Sequence, residues 1–331
     1  FTVGSTALQV VDLGTDFGLK VAGAATEVHV FNGKVEVRGS GPTARVLTIG
    51  EAWQLAGGVG RALPADRQAF LGEPELTQRS VNEAEARLAA WREASRRWSG
   101  ETLVGDRAVI PDRSVLAHYR FETRSPAERT LTNYVVGVST ESHGSIVGAT
   151  WGTGRWPGKS ALDYRGEGDR VRLTLAVPLS EVTLLAWVRV ESLHHGLNAL
   201  LAADVEQIGA VQWLVTSSGQ LRLEIARDLG RTRLDWEAVN SDPFVVPERF
   251  HQWLLLATTF DGSTIRHYGN GRLIGSGASF RPPALHIDSA DLGNGRGPTL
   301  RNLAASMDEF AVLGRAMSPE EIREFYEQGK P

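Results

Sequence analysis

The chain has 331 residues, of which 42% are hydrophobic and 22% charged, with a formal net charge of −4. That length predicts two domains, and balanced charge without long runs of one sign argues against a nucleic-acid partner. Cysteine is absent, which excludes disulfides, thiolate zinc sites and a cysteine nucleophile. No stretch approaches the ~20 apolar residues of a membrane span, and no secretion signal is visible. The first residues, Phe1-Thr2-Val3, read as the middle of a domain and leave room for an N-terminal membrane anchor upstream.

From residue 1 to 58, short β patterns alternate with Gly, Asn and Asp. In Glu27 to Val37, valines alternate with polar residues on both sides of Asn32-Gly33, a pattern that predicts a β-hairpin with a type I′ turn. Residues 59–111 read as a helical linker. Val81, Ala84, Leu88, Trp91, Ser95 and Trp98 fall on one helical face, while Glu83 with Arg87 and Glu93 with Arg97 pair at four-residue spacing outside. The stripe of Val81, Leu88, Trp91 and Trp98 requires cover, from the flanking domains or from another chain.

Residues 112–331 return to β patterns. Ala117 to Phe121, Val182 to Val190 and Gln220 to Ile225 read as strands, and Ser218-Gly219, Asp261-Gly262 and Asn270-Gly271 as tight turns. Many short strands with few helices specify a sandwich or barrel. Near the end, Ser318 is placed as an N-cap, Pro319 at the first helical position and Glu321 as the return partner of a capping box, so a short helix runs to about Gln328, pinned by Ile322 and Phe325.

Two family resemblances are carried by particular residues. Val11-Asp12-Leu13-Gly14-Thr15-Asp16-Phe17-Gly18-Leu19, the Asn32-Gly33 segment and Leu47-Thr48-Ile49-Gly50-Glu51 resemble the C-terminal half of a FecR domain. That resemblance implies a bacterial periplasmic or envelope module relaying a signal to a sigma or anti-sigma factor. Leu116 to Glu122, Gly154-Arg155-Trp156-Pro157-Gly158-Lys159-Ser160-Ala161-Leu162, Val182 to Val188 and Ser306-Met307-Asp308-Glu309-Phe310-Ala311-Val312 resemble LamG-type, concanavalin A-like jelly rolls. The expected fold is therefore mainly β: a small FecR-like β domain, a helical linker, and a concanavalin A-like (LamG) β-sandwich jelly roll with a short C-terminal helix. Leu254 and Leu255 depart from the family by standing where histidine is usual, and Gly269 by replacing an apolar residue.

The same jelly roll supports retaining glycosidases, which need two converging carboxylates. The Glu-x-Asp-x-x-Glu pattern is missing. Asp235-Trp236-Glu237 is its nearest imitation, and adjacent Asp308 and Glu309 are expected on opposite faces of a strand. No Gly-x-Ser-x-Gly elbow occurs, Gly293 to Gly297 lacks a phosphate-loop lysine, and His194-His195 are neighbours expected to diverge. The resemblance implies one structural Ca²⁺, for which Asp308 and Glu122 are the candidate ligands. For a glycan, which stacks on aromatic rings, the candidates are Trp213, Asp235, Trp236 and Asn240. The resulting expectation is a non-enzymatic bacterial envelope protein that binds glycan or another surface protein. The alternatives are a structural subunit of an envelope complex and an unorthodox glycoside hydrolase.

Overall fold

The computed structural model describes residues 1–5, 8–23, 25–39, 44–70, 73–101, 114–123, 125–135, 142–204, 207–228, 234–295 and 299–331, with side chains at 77–90, 92 and 93 in the helical stretch 73–101. The chain divides into two compact units, Phe1–Ala86 and Arg87–Pro331.

The first unit holds β1 (Thr2–Gly4), β2 (Leu8–Asp12), β3 (Asp16–Ala22), β4 (Ala25–Asn32), β5 (Lys34–Gly39), β6 (Ala44–Thr48), β7 (Glu51–Ala56) and β8 (Val59–Pro64). They make two antiparallel sheets, ordered β1-β2-β5-β6 and β3-β4-β7-β8. The hairpin predicted at Asn32-Gly33 does not form: β4 pairs with β3 and β7, and β5 with β2 and β6. Gly33, at φ 77°, instead passes the chain from one sheet to the other, with Gly14 O only 3.0 Å from where a Cβ would sit. The alternating valines then serve a shared core, in which Val28 and Val30 of β4 join Val35 and Val37 of β5, together with Leu8, Val10 and Leu47. Strand β8 pairs along β7, so β structure runs beyond the limit at residue 58 expected from sequence.

Helix α1 spans Glu73–Glu101. Within the chain Val81 is 45% exposed, so the stripe expected to be covered is open at that position, and Leu88 is half-buried. Trp91 and Trp98 lie on α1, with their side chains outside the described residues.

The second unit continues with β9 (Val115–Tyr119), β10 (Thr130–Leu131), β11 (Gly144–Val147), β12 (Thr150–Thr153), β13 (Ser160–Tyr164), β14 (Arg170–Leu175), β15 (Val182–Ser192) and β16 (Leu197–Ala203). There follow β17 (Val211–Thr216), β18 (Gln220–Asp228), β19 (Leu234–Pro243), β20 (Trp253–Phe260), β21 (Thr264–Gly269), β22 (Arg272–Ala278), β23 (Asp288–Leu292), β24 (Ala304–Leu313) and α2 (Pro319–Gly329). One sheet has the order β10-β11-β14-β23-β16-β17-β18-β19; the other runs β12-β13-β24-β15-β20-β21-β22, with β9 also on β24. Leucines and valines on alternate positions of both sheets, such as Val171 and Leu173, Leu221 and Leu223, Leu254 and Leu256, fill the space between them.

Strand β15 shows why its sequence is apolar almost throughout. Leu184, Ala186 and Val188 face the sandwich core, whereas Leu185 and Trp187 join a second cluster with Met317, Ile322 and Phe325 under α2. Burial on both faces removes the alternation that marks a half-exposed strand. The cap of α2 forms as expected: Glu321 N donates to Ser318 Oγ at 3.2 Å, and Ser318 N donates to Glu321 Oε2 at 2.7 Å. Ser318→Ala is expected to cost about 1 kcal/mol, read as a lower urea midpoint at unchanged slope.

On one side the sandwich closes on glycines. A Cβ on Gly275 would lie 2.6 Å from Ser241 Cα, and one on Gly269 would lie 2.6 Å from the Phe244 ring. The apolar residue usual at position 269 is thus replaced by Phe244 reaching in from the opposite sheet. A polar chain crosses the core close by. Trp213 Nε1 donates to Thr258 Oγ1 at 2.8 Å, Thr258 Oγ1 lies 2.8 Å from His267 Nδ1, and His267 Nε2 lies 3.0 Å from Val239 O. A carbonyl only accepts, so Nε2 carries the proton and Nδ1 accepts from the threonine hydroxyl. The geometry therefore selects a neutral imidazole.

Candidate functional site

Strand β24 is central to its sheet, and its ladder is interrupted on both edges around Asp308. Along one edge β13 pairs up to Met307 and β9 begins at Phe310. Along the other edge Trp187 pairs with Glu309 and Val188 with Met307, leaving Asp308 as the extra residue of a β-bulge. The bulge turns Asp308 and Glu309 towards the same basic side chain, contrary to the opposite faces expected from alternation. Arg155 Nε lies 2.7 Å from Asp308 Oδ1, Arg155 N donates to Asp308 Oδ2 at 2.7 Å, and Arg155 Nη2 donates to Glu309 Oε2. Glu309 Oε1 lies 2.6 Å from His118 Nε2.

The basic residues of the Gly154–Leu162 stretch serve this gap. Lys159 Nζ donates to the backbone carbonyls of Arg120 and, at 2.9 Å, Asp308, where the interrupted edge leaves carbonyls to satisfy. The Arg155 guanidinium lies 4.4 Å from the ring centroids of both Trp156 and Trp187, and its Nη1 donates to Gly329 O at the end of α2. Burial by itself pushes the Glu309 carboxyl up, but the charge of Arg155 and the contact with His118 outweigh it and hold Glu309 below the usual carboxylate range.

The two expected calcium ligands both have protein partners. Both oxygens of Asp308 face Arg155, and Asp308 is fully buried. Glu122 is half exposed and meets Arg120 at 3.5 Å and the Tyr134 hydroxyl at 3.2 Å. Among the described residues no three His, Asp or Glu side chains converge as a metal site would require. His194 and His195 diverge as expected, His194 to Ser192 and His195 to Asn302.

The four expected glycan residues fall into three places. Trp213 is wholly buried, on the core face between Val211 and Val215, and is no contact residue. Asp235 lies on the same side of β19 as Glu237, where both meet Arg227, at 3.1 and 2.8 Å. Glu237 also accepts from Phe280 N at 2.9 Å. The pair therefore converges on a guanidinium and not on open space between two carboxyl groups. Trp236 and Asn240 project from the opposite, outer face, since Val239 between them points into the core.

On that outer face the register sets Trp236 opposite Ala226, Ala238 opposite Glu224 and Asn240 opposite Arg222. Arg222 Nε donates to Glu224 Oε1 at 2.7 Å and Arg222 Nη1 to Asn240 Oδ1 at 3.3 Å. Trp236 is half-buried, Asn240 exposed and Glu224 4% exposed. The result is a half-buried aromatic ring beside a row of hydrogen-bonding groups already oriented by one another, with fully buried Ala226 opposite it in the register. Arg222 and Glu224 were not singled out from sequence; their alternation with Leu221, Leu223 and Ile225 is the signal that places them on this face.

The two packed sheets define a concanavalin A-like jelly roll. Residues 165–323 match the family described as the concanavalin A-like lectin/glucanases superfamily, and this segment is a LamG-type jelly-roll domain. The motif stretch at Gly154–Leu162 lies just before it and supplies part of β13 in the same sheet. No curated protein matches the chain. Similar solved structures include the receptor-binding domain of botulinum neurotoxin D, at 13% identity and TM-score 0.47, with 65% of this chain and 52% of that one covered. Another is a botulinum neurotoxin type C structure described by its dependence on two ganglioside molecules for cell entry, at 12% and 0.49, covering 66% and 52%. The binding domain of Paraclostridial Mosquitocidal Protein 1 matches at 14% and 0.46, covering 66% and 55%. The chain spans about half the length of each of these.

Proposed function

We propose that this is a non-catalytic glycan-binding protein of the bacterial cell envelope, whose contact surface is the outer face of β18 and β19. The observation that carries the reading is the shared face of Trp236, Asn240, Arg222 and Glu224. A sugar ring stacks its apolar side on an indole while its hydroxyls take planar polar groups, and a surface whose donors and acceptors are already oriented loses little entropy on binding. The first unit, whose sequence resembles FecR, tethers or positions the jelly roll in this reading. The arrangement of Asp235 and Glu237 around Arg227 supports binding over hydrolysis.

A glycan array with the intact chain, followed by calorimetry on the best ligand, tests this. Trp236→Ala is expected to weaken binding by about tenfold, the equivalent of one stacked aromatic contact, with an unchanged far-ultraviolet circular dichroism spectrum. A blank array, or an affinity indifferent to Trp236→Ala, removes the reading.

A further inference from the structure

We propose that Asn32 is a site of spontaneous covalent modification, at which the folded chain converts an amide to a carboxylate while its two other Asn-Gly pairs are protected. A glycine after asparagine leaves the following backbone nitrogen unshielded by a Cβ, so the pair is chemically primed for ring closure. The chain carries three such pairs, Asn32-Gly33, Asn270-Gly271 and Asn294-Gly295. In the sequence they are equivalent, and the fold separates them.

Asn32 and Gly33 are both exposed. Asn32 is the last residue of β4, beyond an irregularity in its ladder with β3 and past the end of its ladder with β7. Among the described residues neither the Asn32 side chain nor the Gly33 N–H has a hydrogen-bond partner. No bond holds the amide away from the nitrogen that attacks it, and a strand end tied on one side opens at low cost. Asn270 is fixed instead: its Oδ1 accepts from Leu255 N at 3.0 Å, and its N donates to Leu255 O at 2.8 Å. Gly271 is buried under α2, where a Cβ would lie 3.0 Å from Tyr326 Cβ. Asn294 is 8% exposed, and its Nδ2, the leaving group, donates to Glu167 O at 2.7 Å. The Gly295 N is engaged too, donating to Asn294 Oδ1 at 2.8 Å.

The reaction needs only water. The Gly33 nitrogen bonds to Cγ of Asn32 and gives up its proton to solvent, while Nδ2 takes a proton and leaves as ammonia. Water then opens the cyclic imide at one carbonyl or the other, giving aspartate or isoaspartate. Both products place a negative charge opposite Asp16 in the β3 ladder, an unfavourable cross-strand pair. Isoaspartate also adds a methylene to the main chain beside Gly33, where a Cβ would already lie 3.0 Å from Gly14 O. The modification therefore loosens the crossing between the two sheets of the first unit.

Timed incubation of the full chain in mildly alkaline buffer, followed by peptide mapping with mass spectrometry, tests the proposal. Asn32 is expected to convert at least about tenfold faster than Asn270 and Asn294, whose pairs must open first. In concentrated urea the three rates are expected to converge, because only the fold separates them. Asn32→Gln, whose longer side chain closes a ring less readily, is expected to abolish conversion at this position and leave the other two rates unchanged. Equal rates in the folded chain, faster conversion at Asn270 or Asn294, or the same disparity in urea as in buffer overturns the proposal.

Discussion

Replacing Arg155 with alanine is expected to destabilise the second unit by about 3–5 kcal/mol, because it leaves two buried carboxylates without their shared cation. Asp308 and Glu309 are fully buried, and the guanidinium that joins them also lies between Trp156 and Trp187 and holds the last carbonyl of α2. Equilibrium urea denaturation, followed by near-ultraviolet circular dichroism, measures the loss. Combining Arg155→Ala with Asp308→Asn and Glu309→Gln separates stranded charge from lost packing. Recovery of a large part of the stability in the triple variant is the expected result, and a triple variant as unstable as the single one would assign the effect to packing around the indoles.

Acid is expected to weaken the same sandwich through His267, well above the range in which most carboxylates titrate. Burial lowers the His267 pKa from 6.5 to about 4, against the opposing pull of the Val239 carbonyl. The unfolded chain therefore takes up a proton near pH 6.5 that the folded chain refuses until about pH 4. Stability from the neutral imidazole is fully present above pH 6.5 and declines as pH falls towards 4, by about 3 kcal/mol over the interval. Protonation would also put a hydrogen on Nδ1, where the Thr258 hydroxyl now donates. Urea midpoints at successive pH values, read by tryptophan fluorescence, measure the slope. In His267→Gln the slope over pH 4 to 6.5 is expected to flatten; an unchanged slope would move the linkage to another group.

Much of the second unit was legible from local pattern. The Asn270-Gly271 hairpin and the Ser318 cap each depend on a few neighbouring residues, and both form. The failures share a different cause. Asn32-Gly33 between valine-alternating strands satisfies a hairpin and a crossing between sheets equally well, because both need a positive φ at Gly33 and both bury the valines. Only pairing with strands outside the segment, β3 and β7 for β4 and β2 and β6 for β5, decides between them. Asp308 and Glu309 obey alternation until a bulge is present, and the bulge is set by the gap between β9 and β13. Trp213 and Trp236 are both tryptophans in strands, but Trp213 sits in phase with Val211 and Val215, which places it in the core. That phase is readable in the sequence.

The central place of β24 bears on how the protein emerges from the ribosome. Strands β9, β13 and β15 all take their partner from the last strand of the sandwich, so each leaves the exit tunnel with that edge open. At ordinary elongation rates of about 5–20 residues per second, β9 waits roughly ten to forty seconds for β24. During that delay its apolar residues are available to chaperones and to neighbouring nascent chains. Slow synthesis between β9 and β24 thus prolongs an aggregation-prone stage of the sandwich, whereas codons read quickly over that stretch shorten it.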